Sequence, residues 1–181
     1  MDEITIFDKK FVKYISYEQI MKFIDDVAEK VNKDYKDSGK IPVFLCVLNG
    51  AVMFTAEMMK RLDFEAELVS IKLTSYSGTQ STGTVFIPMG LTGDVTGRDI
   101  IVFEDIVDTG NTIIALKEML LDKGARSVKI CTMLLKPDIY KQSATIDYIG
   151  MEVPNKFILG FGLDYDERGR NLKDIYVLKE D

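Results

Sequence analysis

The chain has 181 residues, 46% of them hydrophobic and 29% charged, enough for one complete core and short for two, so one domain is expected. It has no apolar run near bilayer length and an acidic start, Met1-Asp2-Glu3, which argues against a membrane span or secretory signal and for a cytoplasmic protein. A formal net charge of −6 and no histidine exclude general nucleic-acid binding and imidazole chemistry, so any general base is a carboxylate, lysine or tyrosine.

In chain order, Ser16 followed by Gln19 makes a capping box, and Ile20, Phe23, Ile24, Val27 and Val31 recur at helical spacing. A helix is expected from Tyr17 to the low thirties. Val43 to Leu48 is a continuous apolar run closed by Asn49-Gly50, after which Ala51 to Leu62 resumes with helical spacing. Thr74 to Thr84 is rich in Gly, Ser and Thr, a composition that suits a mobile lid. Ile100 to Phe103 is a second apolar strand, followed by a helix carrying Ile113, Leu116, Met119 and Leu120 that ends at Gly124. Val128 to Leu135 is a third strand. Cys46 and Cys131 lie inside apolar runs and read as core thiols of a reducing compartment.

Strands that are apolar on both faces, alternating with amphipathic helices, specify an α/β fold with a mostly parallel sheet flanked by helices. Ligands of such sheets bind beyond the carboxyl ends of the strands, so the loops starting at Leu48, Glu104 and Lys136 should face one cleft.

The chemistry concentrates in Glu104-Asp105-Ile106-Val107-Asp108-Thr109-Gly110-Asn111-Thr112. Gly110 permits a tight turn into a helix. The backbone N–H groups of that turn, with the hydroxyls of Thr109 and Thr112, form a cradle for a phosphate dianion. Glu104 and Asp105 follow a buried strand as paired carboxylates, able to accept bonds from vicinal sugar hydroxyls or to hold a divalent metal. A lone Asp-Thr-Gly would be a helix-capping turn. The whole arrangement agrees at every step, and it lacks the lysine of a Walker A loop.

This stretch resembles the PRPP (5-phosphoribosyl 1-pyrophosphate) signature of type I phosphoribosyltransferases. Val47-Leu48-Asn49-Gly50, Ser75-Tyr76, Leu134-Leu135-Lys136, Lys156-Phe157 and Leu163-Asp164-Tyr165 narrow the resemblance to the hypoxanthine-guanine phosphoribosyltransferases, from about residue 40 to the C-terminus. The short chain without an N-terminal extension looks bacterial. The resemblance implies transfer of phosphoribose from PRPP to a 6-oxopurine, giving IMP or GMP in purine salvage, with magnesium as cofactor and a homodimer or homotetramer as the assembly. It implies that Leu48, Asn49, Gly50 and Arg170 hold pyrophosphate, that Thr109 to Thr112 hold the 5′-phosphate, and that Glu104, Asp105 and Asp164 serve ribose and metal. Asp108 becomes the general base near purine N7, a role that burial of a carboxylate can favour, and Lys136 meets the oxygen at C6. Phe157 stacks on the base between backbone atoms of Lys156 and Ile158, and Ser75 and Tyr76 belong to the lid. The N-terminal residues and roughly 157–181 are expected to build a small hood. A regulatory PRPP sensor and an enzyme for xanthine or uracil are the competing readings.

Overall fold

The computed structural model describes residues 3–76, 85–89 and 94–180, the side chains of 74–76 and 85–89 excepted. Two short strands, β1 (Glu3–Ile6) and β2 (Lys9–Ile15), precede helix α1 (Tyr17–Tyr35). Strand β3 (Val43–Leu48), helix α2 (Val52–Met59) and strands β4 (Glu67–Tyr76) and β5 (Val85–Met89) follow. Then come β6 (Asp99–Val107), α3 (Asn111–Asp122), β7 (Ser127–Leu135), β8 (Tyr148–Glu152), β9 (Ile158–Leu159) and β10 (Ile175–Leu178). Residues 77–84, the body of the expected lid, lie outside the described residues; Ser75 and Tyr76 end β4.

The larger sheet has the order β5-β4-β3-β6-β7-β8. Its strands are parallel from β4 to β8, and β5 adds an antiparallel edge. The expected α/β class is therefore observed. The second sheet is antiparallel, with the order β1-β2-β10-β9. It joins the two ends of the chain.

Helix α1 starts as its sequence dictates: Ser16 Oγ accepts from the Gln19 N–H (3.3 Å), and Gln19 Oε1 accepts from the Ser16 N–H (2.9 Å). Each bond occupies a backbone or side-chain group that the helix start would otherwise leave unpaired. Its apolar stripe of Ile20, Phe23, Ile24, Val27 and Val31 is buried. That stripe packs with Phe54 and Met58 of α2 over Phe44, Ile101 and Phe103 of the sheet. Helix α3 covers the opposite face through Ile113, Leu116 and Leu120, on Leu45, Ile100, Val102 and Ile130. Burying each such aliphatic side chain stabilises the fold by roughly 1.5–3 kcal/mol. Cys46 and Cys131 are buried free thiols, as expected.

Strand β6 runs past the expected end at Phe103 as far as Val107. Glu104, Ile106 and Val107 pair with Thr132, Leu134 and Leu135 of β7. The backbone ladder is satisfied there although the side chains have turned acidic. Side-chain alternation breaks at this level in both strands. Ile100 and Val102 belong to the α3 face and Ile101 and Phe103 to the α1 face, yet beyond the acids Ile106 packs with the α1 face and Val107 with the α3 face. In β7, Met133 and Leu134 lie successively on the α1 face, and the Thr132 hydroxyl donates to the Leu134 carbonyl (2.8 Å) at the break. The two strands thus invert phase together and stay in register.

At the opposite end of the sheet, buried Asp99 accepts from Arg126 Nε (2.8 Å) and Nη2 (2.6 Å) and from Ser127 Oγ (2.6 Å), and it pairs with Lys40 (3.1 Å). The Arg126 guanidinium above all holds its carboxyl well below the usual carboxylate range. A depressed folded-state pKa stabilises above the unfolded value and loses that contribution as pH falls toward the folded one. Asp99→Asn should therefore be about 3 kcal/mol less stable near pH 7, with the gap from wild type closing below about pH 4. Urea unfolding at both pH values checks this; a pH-independent gap would contradict it.

Candidate active site

Two hollows meet at the carboxyl ends of β6 and β7. The first, of about 180 Å³, is lined by Glu104 and by Ile106 through Ile113. Gly110 takes φ +82 there as it leads into α3, a left-handed conformation that suits glycine. A side chain at this position would also collide with Tyr140, 2.4 Å from where its Cβ would lie. No side chain among the described residues caps α3, so the N–H groups of its first turn remain for a ligand. Gln142 Nε2 braces the turn by donating to Asn111 Oδ1 (2.7 Å) and the Thr109 carbonyl (3.3 Å).

The second hollow, of about 220 Å³, is lined by Asp105, Ile106, Asp108, Lys136, Phe157, Ile158, Leu163 and Asp164. Asp108 and Ile106 border both hollows. Lys136 is buried, and its ammonium lies 3.0 Å from Asp108 Oδ1. Asp108 itself is 51% exposed, so this carboxylate is not buried by the residues around it. Phe157, 43% exposed, presents an aromatic ring to the hollow.

Ile158 pairs with Val177 across the edge of the small sheet, and the Leu178 N–H donates to the Phe157 carbonyl (2.9 Å). Antiparallel alternation then turns the N–H and C=O of Ile158 away from β10, toward the open side. Lys156 is not brought to the hollow. Its ammonium reaches Glu180 (3.2 Å) and its N–H is bonded to the Pro154 carbonyl (2.7 Å), because the chain turns at Pro154 before it enters β9.

The loop after β3 closes the site from the third side. The Leu48–Asn49 peptide is cis. Gly50 presses on Asp105, whose Oδ2 lies 1.6 Å from where a Cβ would stand, and a Cβ on Gly162 would come within 2.1 Å of the Gly50 carbonyl. Both glycines are required by contact, since either methyl group would displace the acid or the loop. Arg170 bonds Asp164 Oδ1 (2.8 Å) and the Gly162 carbonyl (2.7 Å), and the Glu167 N–H donates to Asp164 Oδ2 (2.7 Å).

The phosphoribosyl transferase domain family matches residues 14–166. A hypoxanthine-guanine phosphoribosyltransferase of Streptococcus thermophilus is 43% identical over 167 residues, 92% of each chain. One from Lactococcus lactis is 42% identical over 91% of this chain and 89% of the relative. The chain belongs to the hypoxanthine-guanine phosphoribosyltransferase family. A crystal structure of such a protein from Bacillus anthracis superposes with a TM-score of 0.84 at 30% identity, covering 92% of this chain and 98% of the other. A hypoxanthine phosphoribosyl transferase structure from Trypanosoma cruzi gives 0.85 at 28% identity over 97% and 95%.

Among the described residues no three acidic, histidine or cysteine side chains gather as a metal cluster. Asp105 and Asp164 nonetheless share the second hollow, and buried Glu104 Oε2 has no hydrogen-bond partner among the described residues. Carboxylate oxygens are the hard donors that suit a magnesium ion or sugar hydroxyls, so the residues present fit that group. The sequence did not disclose Gly162, Gln142 or the Asp108–Lys136 pair. Its one hint was the Gly160-Phe161-Gly162 run.

Burial, and then the neighbouring Asp105 carboxylate, push the Glu104 carboxyl well above its ordinary range; burial also raises Asp105. An acid with a raised folded-state pKa costs stability as pH rises above the unfolded value, about 4.3. Glu104→Gln should therefore melt several degrees above wild type near pH 8 and match it near pH 4. Thermal melts across that range check the sign; a Gln variant less stable at pH 8 would refute it.

Proposed function

We propose that this family member transfers the 5-phosphoribosyl group of PRPP to N9 of a 6-oxopurine, hypoxanthine or guanine with xanthine as a further candidate, releasing pyrophosphate and yielding IMP or GMP in purine salvage. The observation that carries the reading is the Lys136–Asp108 pair at 3.0 Å beside the exposed ring of Phe157. A 6-oxopurine bearing its proton on N7 offers an acceptor and a donor side by side on that edge, O6 and N7–H. The ammonium and carboxylate offer the complementary donor and acceptor. Adenine places an amino donor at C6, which would face the Lys136 ammonium with no acceptor between them.

In this reading the α3 turn from Thr109 to Thr112 holds the 5′-phosphate through backbone N–H groups and hydroxyls. Leu48, Asn49, Gly50 and Arg170 hold the pyrophosphate. Glu104 and Asp105 accept from the ribose hydroxyls, and Asp105 with Asp164 would hold magnesium. The ion would neutralise charge on the leaving pyrophosphate. As the bond from N9 to C1′ forms and the bond from C1′ to the pyrophosphate oxygen breaks, Asp108 takes the N7 proton. Stacking on Phe157 and the outward backbone groups of Ile158 orient the base. The four-stranded sheet acts as the hood of a single unit, and Ser75 and Tyr76 belong to a lid that excludes water. A cytoplasmic location is in keeping with the two buried free thiols, and self-association as a homodimer or homotetramer rests on the resemblance alone.

The test is nucleotide formation from PRPP and magnesium with hypoxanthine, guanine, xanthine, adenine and uracil offered separately, beside a metal-free control. Inosine or guanosine monophosphate formed only with metal is the expected result; no product with any base would sink the reading. Lys136→Ala should reduce the preference for hypoxanthine over adenine at least about tenfold. Asp108→Asn should lower kcat on the order of a hundredfold and leave the KM for PRPP within about twofold. A variant with unchanged kcat would remove Asp108 from the role of base.

A further inference from the structure

Two backbone turns of disfavoured conformation face one another at the edge of the hood. Between β1 and β2 the chain reverses in two residues, Phe7 and Asp8, with Ile6 paired to Lys9. Phe7 occupies the first of these with φ +52, a position that favours glycine and at which a bulky aromatic is an outlier. Opposite it, Tyr165 and Arg168 exchange backbone bonds of 2.9 and 3.1 Å around Asp166 and Glu167, at φ +46 and +64.

The two turns are locked by side chains. The Arg168 guanidinium lies 4.1 Å from the Phe7 ring centre. The Phe7 and Tyr165 rings meet edge to face at 5.6 Å, and the Tyr165 hydroxyl donates to Asp8 Oδ1 (2.9 Å). From there the contact chain reaches the purine side of the site. Tyr165 meets the Phe157 ring edge-on at 5.6 Å, and the Lys9 ammonium lies 5.2 Å from the Tyr165 ring centre. Disfavoured backbone persists where its surroundings over-determine it, and such positions cluster at ligand clamps.

We infer that Phe7 and Asp8 are positioning residues for the acceptor base: they hold Tyr165, and Tyr165 fixes the tilt of the ring on which the purine stacks. The inference rests on the reading of Phe157 as the stacking surface. It also separates the two substrates. Asp164 and Arg170 are tied within their own loop, to each other and to the Gly162 carbonyl and the Glu167 N–H. The clasp touches the stacking ring directly through Tyr165 and meets Asp164 only through the Glu167 N–H, while the Arg170 ties hold that acid in place, so the clasp bears first on the purine.

Phe7→Gly is the sharpest variant, because it relieves the positive φ while deleting the ring. It should raise the KM for the purine about tenfold with the KM for PRPP and kcat within about twofold. Asp8→Ala and Tyr165→Phe should each raise the purine KM about threefold and add nothing to one another in the double variant, while Asp8→Asn, which keeps an acceptor oxygen, stays near wild type. Trypsin cleavage after Arg168, followed by mass spectrometry, reads the clasp without any activity and should accelerate about tenfold in Phe7→Gly. Unchanged cleavage overturns the clasp even if wild type makes no nucleotide, an outcome that would instead count against the proposed function. Faster cleavage with an unchanged purine KM, or equal rises in both KM values, overturns the positioning role.

Discussion

The arrangement of the site depends on the paired inversion of phase in β6 and β7. Under strict alternation Asp108 would share a face with Val102, and Lys136 with Ile130, both of which pack beneath α3. The inversion at Glu104–Asp105 and Met133–Leu134 brings Asp108 and Lys136 instead to the hollow that Phe157 and Ile158 border. Irregularities of this kind re-aim side chains at the ends of sheets. Because both strands slip at one level, the register of the ladder is the same on either side of Asp105 and Met133, and the site gains its geometry without a shift in strand pairing.

That placement has an electrostatic cost, which the rest of the molecule absorbs. Glu104 and Asp105 sit partly buried side by side, both with raised pKa values, in a chain that already carries a net charge of −6. Such acids destabilise the empty fold and favour whatever supplies donors or positive charge. At the far end of the same strand, Asp99 is surrounded by Arg126, Lys40 and Ser127. One strand thus begins in an acid satisfied by cations and carries near its other end a pair of acids of which Glu104 Oε2 has no partner among the described residues. Stability is concentrated at one end of the sheet and binding capacity at the other.

The sequence disclosed what rests on local rules. The capping box at Ser16, the apolar stripe of α1, the run Val43–Leu48 and the turn at Gly110 are each set by residues within a few positions of one another, and the structure places them as expected. The hood was harder to read. Its strands have two to seven residues, too few for periodicity to register, and β2 pairs with β10 across almost the whole chain. The inversion was also hidden, because a continuous apolar run such as Ile130–Leu135 looks the same with or without a change of phase.

The hood must nonetheless keep a fixed distance from the sheet, since Phe157 and Lys136 adjoin strands of different sheets, β9 and β7, and border one hollow. Buried Asp174, just before β10, makes that connection. Its Oδ1 accepts from the Tyr17 N–H at the start of α1 (2.8 Å), and its Oδ2 pairs with Lys13 of β2 (3.2 Å). A buried carboxylate bonded to two elements resists displacement from either, because leaving one donor uncompensated exposes the full desolvation cost of the charge. Ile15, Ile158, Phe161, Leu163 and Ile175 extend the core beneath α1 into the hood. The hood is therefore bound to the scaffold through α1, whose apolar stripe rests on the same sheet that carries Asp108 and Lys136, so the separation between stacking ring and ion pair follows from packing along a single continuous core.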